Sequence, residues 1–482
     1  MLFNSLNFAI FFPIVFIIYW GFLKNSLKYQ NLLLLISSCF FYACWDWRFL
    51  FLLFASIVLV YFSGRFMGSA KSQNIRKVWL LVSIIFSLGL LGVFKYYHFF
   101  TSSFTDLLST FGIQINTWSL KVVLPVGISF YTFHGLSYII DLYNRKIEEE
   151  KDFVNYAVFV SFFPLLIAGP IERATHLLPQ IKKPRIFEYT KAVDGVRQIL
   201  WGLFKKIVIA DNCAEFANLI FNNSANYSGS TLFLGAIFFT FQIYCDFSGY
   251  SDIALGTARL LGIELLQNFA FPYFARDIAE FWRRWHISLT TWFRDYVYIP
   301  LGGSRCSKAM VVRNTLIIFL VSGFWHGANW TFIIWGTYHA LLFLPLILMN
   351  KNRKHINSVS EGKRIPQLKE IIQMSTTFFL VVIGWIFFRA DSIGHAFDYI
   401  SEIISPSLFT VPKFAGMGKA LTTSILVCIF MIIEWLGREQ QYAIARLGLK
   451  WKRPVRYAMY YAIIVAIFWF GGKEQQFIYF QF

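Results

Sequence analysis

Uncharged apolar runs of membrane-spanning length recur along this chain and restrict its fold more than any motif does. Residues 49–64, for example, contain no charged side chain. In lipid a backbone has no water to bond, so such runs must close their own hydrogen bonds as helices. About thirteen segments come near the ~20 residues a span needs. They fall near 6–23, 29–45, 48–64, 77–97, 122–142, 153–169, 196–210, 230–247, 311–325, 329–349, 374–389, 420–437 and 456–470. Hydrophobic residues make up 57% of the chain and charged ones 15%, far from soluble norms. The pattern predicts an all-α polytopic membrane protein, with one or two short or Pro/Gly-broken segments re-entrant rather than spanning. Met1 to Asn7 carries no Lys or Arg, and no small-residue cleavage site follows the first apolar run, so that run is expected to stay as a helix.

The net charge of +18 does not point to nucleic acid, because the basic residues gather in alternate loops. Lys24 and Lys28, Arg65 to Lys77, Lys182 to Arg185, Lys351 to Lys354, and Arg438 to Arg453 mark one side. The loops 98–120 and 402–418 are nearly uncharged. This is the positive-inside pattern. It predicts basic loops in the cytoplasm and both termini outside. That threading needs an even number of spans, so one segment must fail to cross, and 153–169, ending Ala168-Gly169-Pro170, is the expected one. The six cysteines show no CxxC and no Cys/His metal spacing, so neither a disulfide framework nor a metal site is expected.

The whole chain, 1–482, reads as a single integral membrane domain without internal repeats. The polar stretches 172–195 and 350–372 read as cytoplasmic loops with short surface helices. The region 240–330 differs because charges alternate with aromatics there. Arg276, Glu280 and Arg284 are spaced four apart, able to pair along one face of a short helix. That helix would deliver His286 inward.

Two Trp-His dipeptides, Trp285-His286 and Trp325-His326, stand forty residues apart in apolar surroundings. An ionisable group deep in lipid costs roughly 3 kcal/mol or more when charged, so it faces protein or water and marks a site of work. His326 fits a general base that takes a proton from an attacking hydroxyl, with Gly323 and Gly327 leaving space beside the ring. Its alternative is a histidine that bonds a neighbouring helix. His286 would orient a substrate or line the same chamber; its alternative is an interfacial residue of a polar helix. The block Tyr244 to Asp252 supplies Asp246, Ser248 and Tyr250, either a polar floor for substrate or a helix cap and turn. Arg283, Arg284, Trp285, Trp325 and Asn329 are further candidates for holding substrate or donor. Pro125 to His134 is Pro/Gly-broken and Ser/Thr/Tyr-lined, and must line protein or a cavity. His134 and His339 are weaker candidates. His98, His176, His355 and His395 read as interface or loop residues.

Phe281-Trp282-Arg283-Arg284-Trp285-His286-Ile287-Ser288-Leu289 is followed by Trp292-Phe293-Arg294-Asp295-Tyr296 and Pro300-Leu301-Gly302-Gly303. With Asp246 to Asp252, Asn268-Phe269, Pro272-Tyr273 and Phe324-Trp325-His326-Gly327, this series resembles the signature of the membrane-bound O-acyltransferases. Pro125 to Phe130 and Ala168 to Ile171 resemble the branch containing membrane subunits of bacterial alginate O-acetylation; the D-alanyl transfer proteins of teichoic acid synthesis are nearer cousins than the eukaryotic sterol enzymes. The likeness is strongest over about 120–340. It implies a ring of about eleven or twelve transmembrane helices, each near span length, with re-entrant helices around a thin central core. The family's essential histidine falls on His326 and its other signature histidine on His286. The likeness further implies a cytoplasmic acyl thioester, acetyl-CoA or a carrier-protein thioester, as co-substrate rather than a bound cofactor. It places the protein in a bacterial inner membrane, with an extracytoplasmic SGNH-type acetyltransferase partner and a polysaccharide acceptor. Peptidoglycan O-acetylation and D-alanyl transfer are alternative uses of the same plan. A transporter or channel is the reading from outside the enzymes. The last residues, Phe477 to Phe482, form an aromatic tail that either anchors at the interface or folds back, with Tyr479 as transient acyl acceptor or plug.

Overall fold

The computed structural model describes residues 1–113, 123–167, 169–472 and 475–478. Every regular element among them is helical. Seven helices are long and apolar enough to cross a membrane: Phe49–Ser69, Gln73–Thr110, Gly229–Leu260, Lys308–His326, Trp330–Leu348, Leu368–Arg389 and Met417–Gly437. A shorter apolar helix covers Leu6–Phe22. The protein is a multi-pass helical membrane protein. The chain divides into two compact units, residues 1–192 with 257–266, and residues 193–256 with 267–482.

In the first unit the helices Leu27–Asp46, Phe49–Ser69, Ile128–Tyr143 and Phe153–Ser161 bury Phe41, Leu53, Tyr138 and Tyr156. The Ile128–Tyr143 helix is buried almost throughout, the place its Ser, Thr and Tyr side chains require. Arg76 is buried and donates to the carbonyls of Met67 at 3.0 Å and Leu142 at 2.7 Å, which is how a cation is tolerated near lipid. The 153–169 segment breaks at Phe162 into Phe153–Ser161 and Phe163–Leu166, with Pro164 in the first turn of the second piece. Each piece is shorter than a span. Ala168 lies outside the described residues.

In the second unit the helix Gly229–Leu260 runs without a break through Asp246 to Asp252. The cap-and-turn alternative for that block therefore fails. Gly249 makes a close helix contact instead of a turn: a Cβ there would stand 2.8 Å from the Gly202 carbonyl oxygen. Small residues allow such approach, and in lipid close packing holds helices together. The carboxylates are tolerated mid-helix because Lys205 and Lys206 arrive beside them from the neighbouring element Phe204–Ala210.

The helices Lys308–His326 and Trp330–Leu348 form a tight antiparallel pair. A Cβ on Gly323 would meet the Phe332 carbonyl oxygen at 2.3 Å, and one on Gly336 the Phe319 oxygen at 2.4 Å. The expected surface helix in 350–372 is not formed before Leu368. Its carbonyls are occupied by guanidinium groups: Arg276 bonds Asn357 O at 2.7 Å, Arg283 bonds His355 O at 2.6 Å, and Arg438 bonds Ser360 O at 2.7 Å. In 172–195 the expected helix is present as Ala174–Ile181.

Candidate active site

Asp277 caps the short helix Ile278–Arg284 by accepting from Glu280 N at 2.7 Å. Glu280, fully buried, binds Arg276 Nη2 at 3.0 Å and Arg284 Nη2 at 2.8 Å. The four-residue spacing thus forms the predicted pairs. After this helix the chain turns sharply. His286 adopts the left-handed region at φ 43°, ψ 53° and begins the helix Ile287–Phe293. A non-glycine residue there costs roughly 1–2 kcal/mol, and the surroundings hold it. Ile287 N bonds Asn268 O at 2.9 Å, and Ala270 N bonds Arg284 O at 3.0 Å.

Asn268 is the residue that sequence reasoning named in a motif but gave no role. Its Oδ1 lies 3.0 Å from His286 Nδ1 and 3.0 Å from Ser288 Oγ, while its Nδ2 donates to Ser251 Oγ at 3.3 Å. Ser288 N also points to this oxygen at 3.4 Å. An oxygen that accepts from these partners requires the proton on Nδ1 of His286. Nε2 then carries the lone pair.

His326 is the last residue of its helix and is buried. Its ring centroid lies 6.3 Å from that of His286, 5.2 Å from Trp335 and 5.4 Å from Phe388. The structure therefore brings the two Trp-His dipeptides together. Trp325 packs 6.0 Å from His286, and Trp285 packs, tilted, 4.8 Å from Trp385. Phe247 meets the His286 ring edge-on at 4.6 Å. A cavity of about 390 Å³ lies in the same unit, lined by Trp282, Ile287, Thr290, Phe319 and Ser322; Ile287 follows His286 in the chain, but neither histidine lines the cavity. Arg283, Arg294 and Arg353 also line it.

The polar groups of Asp246 to Asp252 lie together, and the charged ones are engaged with neighbouring side chains. Lys206 Nζ bridges Asp246 and Asp211, each at 2.8 Å. Asp252 binds Lys205 Nζ at 2.5 Å and Gln198 Nε2 at 2.8 Å. Ser248, Ser251, Asn268 and Glu434 border a small cavity of about 20 Å³, and Tyr244 donates to Glu434 at 2.7 Å. Lys205, Lys206 and Glu434 were missed by sequence reasoning; a charged residue in an apolar run was the available signal. Tyr250 is buried with its ring 4.4 Å from Phe477. Ile478 N bonds Asp246 Oδ2 at 2.8 Å. The tail thus turns inward at Phe477 and Ile478, while Tyr479 lies outside the described residues.

Other candidates have structural employment. Arg284 is held by Glu280. Asn329 caps the Trp330–Leu348 helix through Thr331 N at 3.0 Å and donates to Asp391 O at 3.2 Å. His339 is enclosed by Trp282 and Trp335 at 5.0 and 5.1 Å. His134 belongs to the first unit, near Val160 O at 3.5 Å.

The fold and this region define a multi-pass helical membrane protein with two buried histidines side by side, groups able to exchange a proton within the bilayer. Comparison with known proteins gives the family. Residues 144–387 match the model of the membrane-bound O-acyltransferase family, and the chain belongs to that family as an O-acyltransferase. It is 36% identical to a Pseudomonas aeruginosa protein named probable alginate O-acetylase AlgI, over 92% of this chain and 82% of the relative. It is 35% identical to the Helicobacter pylori peptidoglycan O-acetyltransferase over 84% of this chain and 80% of the relative. The Bacillus subtilis teichoic acid D-alanyltransferase is 29% identical over 56% of this chain and 70% of the relative.

Proposed function

We propose that this enzyme takes an acetyl group from a cytoplasmic thioester and passes it across a bacterial inner membrane for O-acetylation of an extracytoplasmic polysaccharide. The relatives' names support acylation of an envelope polymer. The observation that carries the reading is the His286–His326 pair, 6.3 Å between centroids, with the 390 Å³ cavity adjoining it at Ile287. That cavity is the proposed donor arm. Its apolar wall receives the acyl thioester, and Arg283, Arg294 and Arg353 lie where phosphates of acetyl-CoA or a carrier's prosthetic group would enter. The positive-inside distribution of the basic loops supports a cytoplasmic side for this end and an extracytoplasmic side for both termini.

In the proposed step the acceptor hydroxyl gives its proton to His326 while its oxygen attacks the thioester carbonyl. The tetrahedral intermediate collapses, the C–S bond breaks, and the protonated His326 returns its proton to the leaving thiolate. His286, its Nδ1 proton held by Asn268, is fixed beside His326 and lines the acceptor's position. Holding both reactants in one dry chamber supplies much of the rate. An SGNH-type extracytoplasmic partner would finish delivery to the polymer, and Tyr479 would act as acyl acceptor on the inward-turned tail.

The test is transfer of radiolabelled acetyl from acetyl-CoA by purified protein, for wild type, His326→Ala and Tyr479→Phe. Loss in His326→Ala with assembly intact supports the base. Equal activity removes it from that role. Full activity in Tyr479→Phe removes the tail tyrosine as acceptor.

A further inference from the structure

The geometry points to a lipid-binding site in the first unit: a cleft that takes the phosphodiester headgroup of an anionic membrane lipid. It goes beyond acyl transfer and rests on separate residues. The cleft, about 250 Å³, lies between Trp20, the 183–191 segment and the turn 259–264.

Arg185 is the centre of the argument. It is only 7% exposed, yet Nε and Nη1 of its guanidinium meet no hydrogen-bond partner among the described residues. Nη2 is held by Asn31 Oδ1, and the group lies over the Tyr19 ring, 5.5 Å from its centroid. Buried charged donors left without an acceptor are costly. An anion in the cleft beside Arg185 would compensate this buried charge, and a small turn of the side chain would present its fork to a phosphate oxygen pair.

The rest of the lining has the matching charge. Lys183, Lys191 and Arg259 face the cleft with Arg185, against the carboxylates Glu188 and Glu264. Both carboxylates are engaged, Glu188 with Lys191 at 2.9 Å and Glu264 with Arg259 Nε at 3.3 Å. Exposed Lys183 forms no ion pair among the described residues.

The walls are preformed. Trp20 Nε1 donates to Leu260 O at 2.9 Å, and Tyr19 OH to Leu261 O at 3.0 Å. Gln180 and Glu264 exchange two bonds of 2.9 Å. Gly262, at φ +76°, packs against the Arg185 stem and Trp20, where a Cβ would lie 3.4 and 3.6 Å from them. A lipid is favoured over a soluble phosphate by what surrounds the cleft. Trp20 closes an apolar helix, and Phe22, Ile186 and Tyr189 are exposed at 78%, 79% and 75%. Large exposed apolar and aromatic groups beside cations are the signature of the headgroup level.

The test uses the full chain in nanodiscs of phosphatidylcholine, with or without phosphatidylglycerol, followed by native mass spectrometry of retained lipid. Wild type is expected to keep a phosphatidylglycerol selectively. Lys183→Gln, an exposed change that leaves the fold intact, should reduce retention about fivefold, the weight of one surface cation, and Arg185→Gln should abolish it. If Arg185→Gln fails to fold, Lys183→Gln decides alone. Equal retention in wild type and Lys183→Gln overturns the site. Absence of retention, with coenzyme A or inorganic pyrophosphate raising the melting temperature instead, overturns the lipid assignment in favour of a soluble phosphate.

Discussion

His286 shows how much of a catalytic centre is decided by one residue's backbone. Its left-handed φ of 43° turns the chain so that the imidazole faces both Asn268 and the His326 chamber. Removing the proposed base should be severe: His326→Ala is expected to lower acyl transfer by ~10²–10⁴-fold, read as label transfer from acetyl-CoA. Asn268 is predicted to act through His286 as a positioning residue. Asn268→Ala should lower kcat with little change in KM for the thioester. Asn268→Asp would place a carboxylate against Nδ1–H and favour the charged ring. The acidic limb of the pH–rate profile should therefore move to higher pH, a shift that a packing role alone would not cause. The histidines were legible in the sequence because each interrupts an apolar run. Asn268 stood out only as part of a motif; its role was not legible, because its partner is eighteen residues away across a turn.

At the scale of elements, close helix approach sets where His326 stands. Gly323→Val would press a side chain into the Phe332 carbonyl, already 2.3 Å from an added Cβ. It should destabilise the protein by about 1–3 kcal/mol, seen as a lower melting temperature. Glu280→Ala would leave Arg276 and Arg284 without the buried carboxylate that holds both, a loss of about 3 kcal/mol. The Ala174–Ile181 helix carries a milder pH effect. The hydrogen bond from His176 Nδ1 to Glu172 Oε2, 2.7 Å, raises the His176 pKa above its ordinary 6.5. A folded pKa above the unfolded one stabilises fully below the unfolded value, and the contribution fades as pH rises through the folded value. His176→Gln should therefore melt below wild type in acid and converge with it in alkali. The i,i+4 pairs around Glu280 were legible from spacing. The unbroken helix through Asp246 to Asp252 was not, because the lysines that neutralise its carboxylates come from another element.

At the scale of the molecule, the cavity beside the histidines is the proposed route for the donor. Thr290→Trp, which fills it, should raise KM for acetyl-CoA several-fold and leave the melting temperature within a few degrees; an unchanged KM would reject this route. The sequence by itself determined that the chain is helical, multi-pass and an O-acyltransferase by kinship, because span length, loop charge and ordered motifs are local properties. It also marked both histidines, since an ionisable group among apolar neighbours stands out wherever it folds. Only the tertiary structure decided that the two rings stand side by side, that Asn268 holds one of them, and that Lys205 and Lys206 neutralise the carboxylates. It also placed Phe477 and Ile478 beside Tyr250 and Asp246. Each of these depends on contacts between residues distant in the chain, and the packing of helices, rather than their periodicity, selects which distant side chains meet.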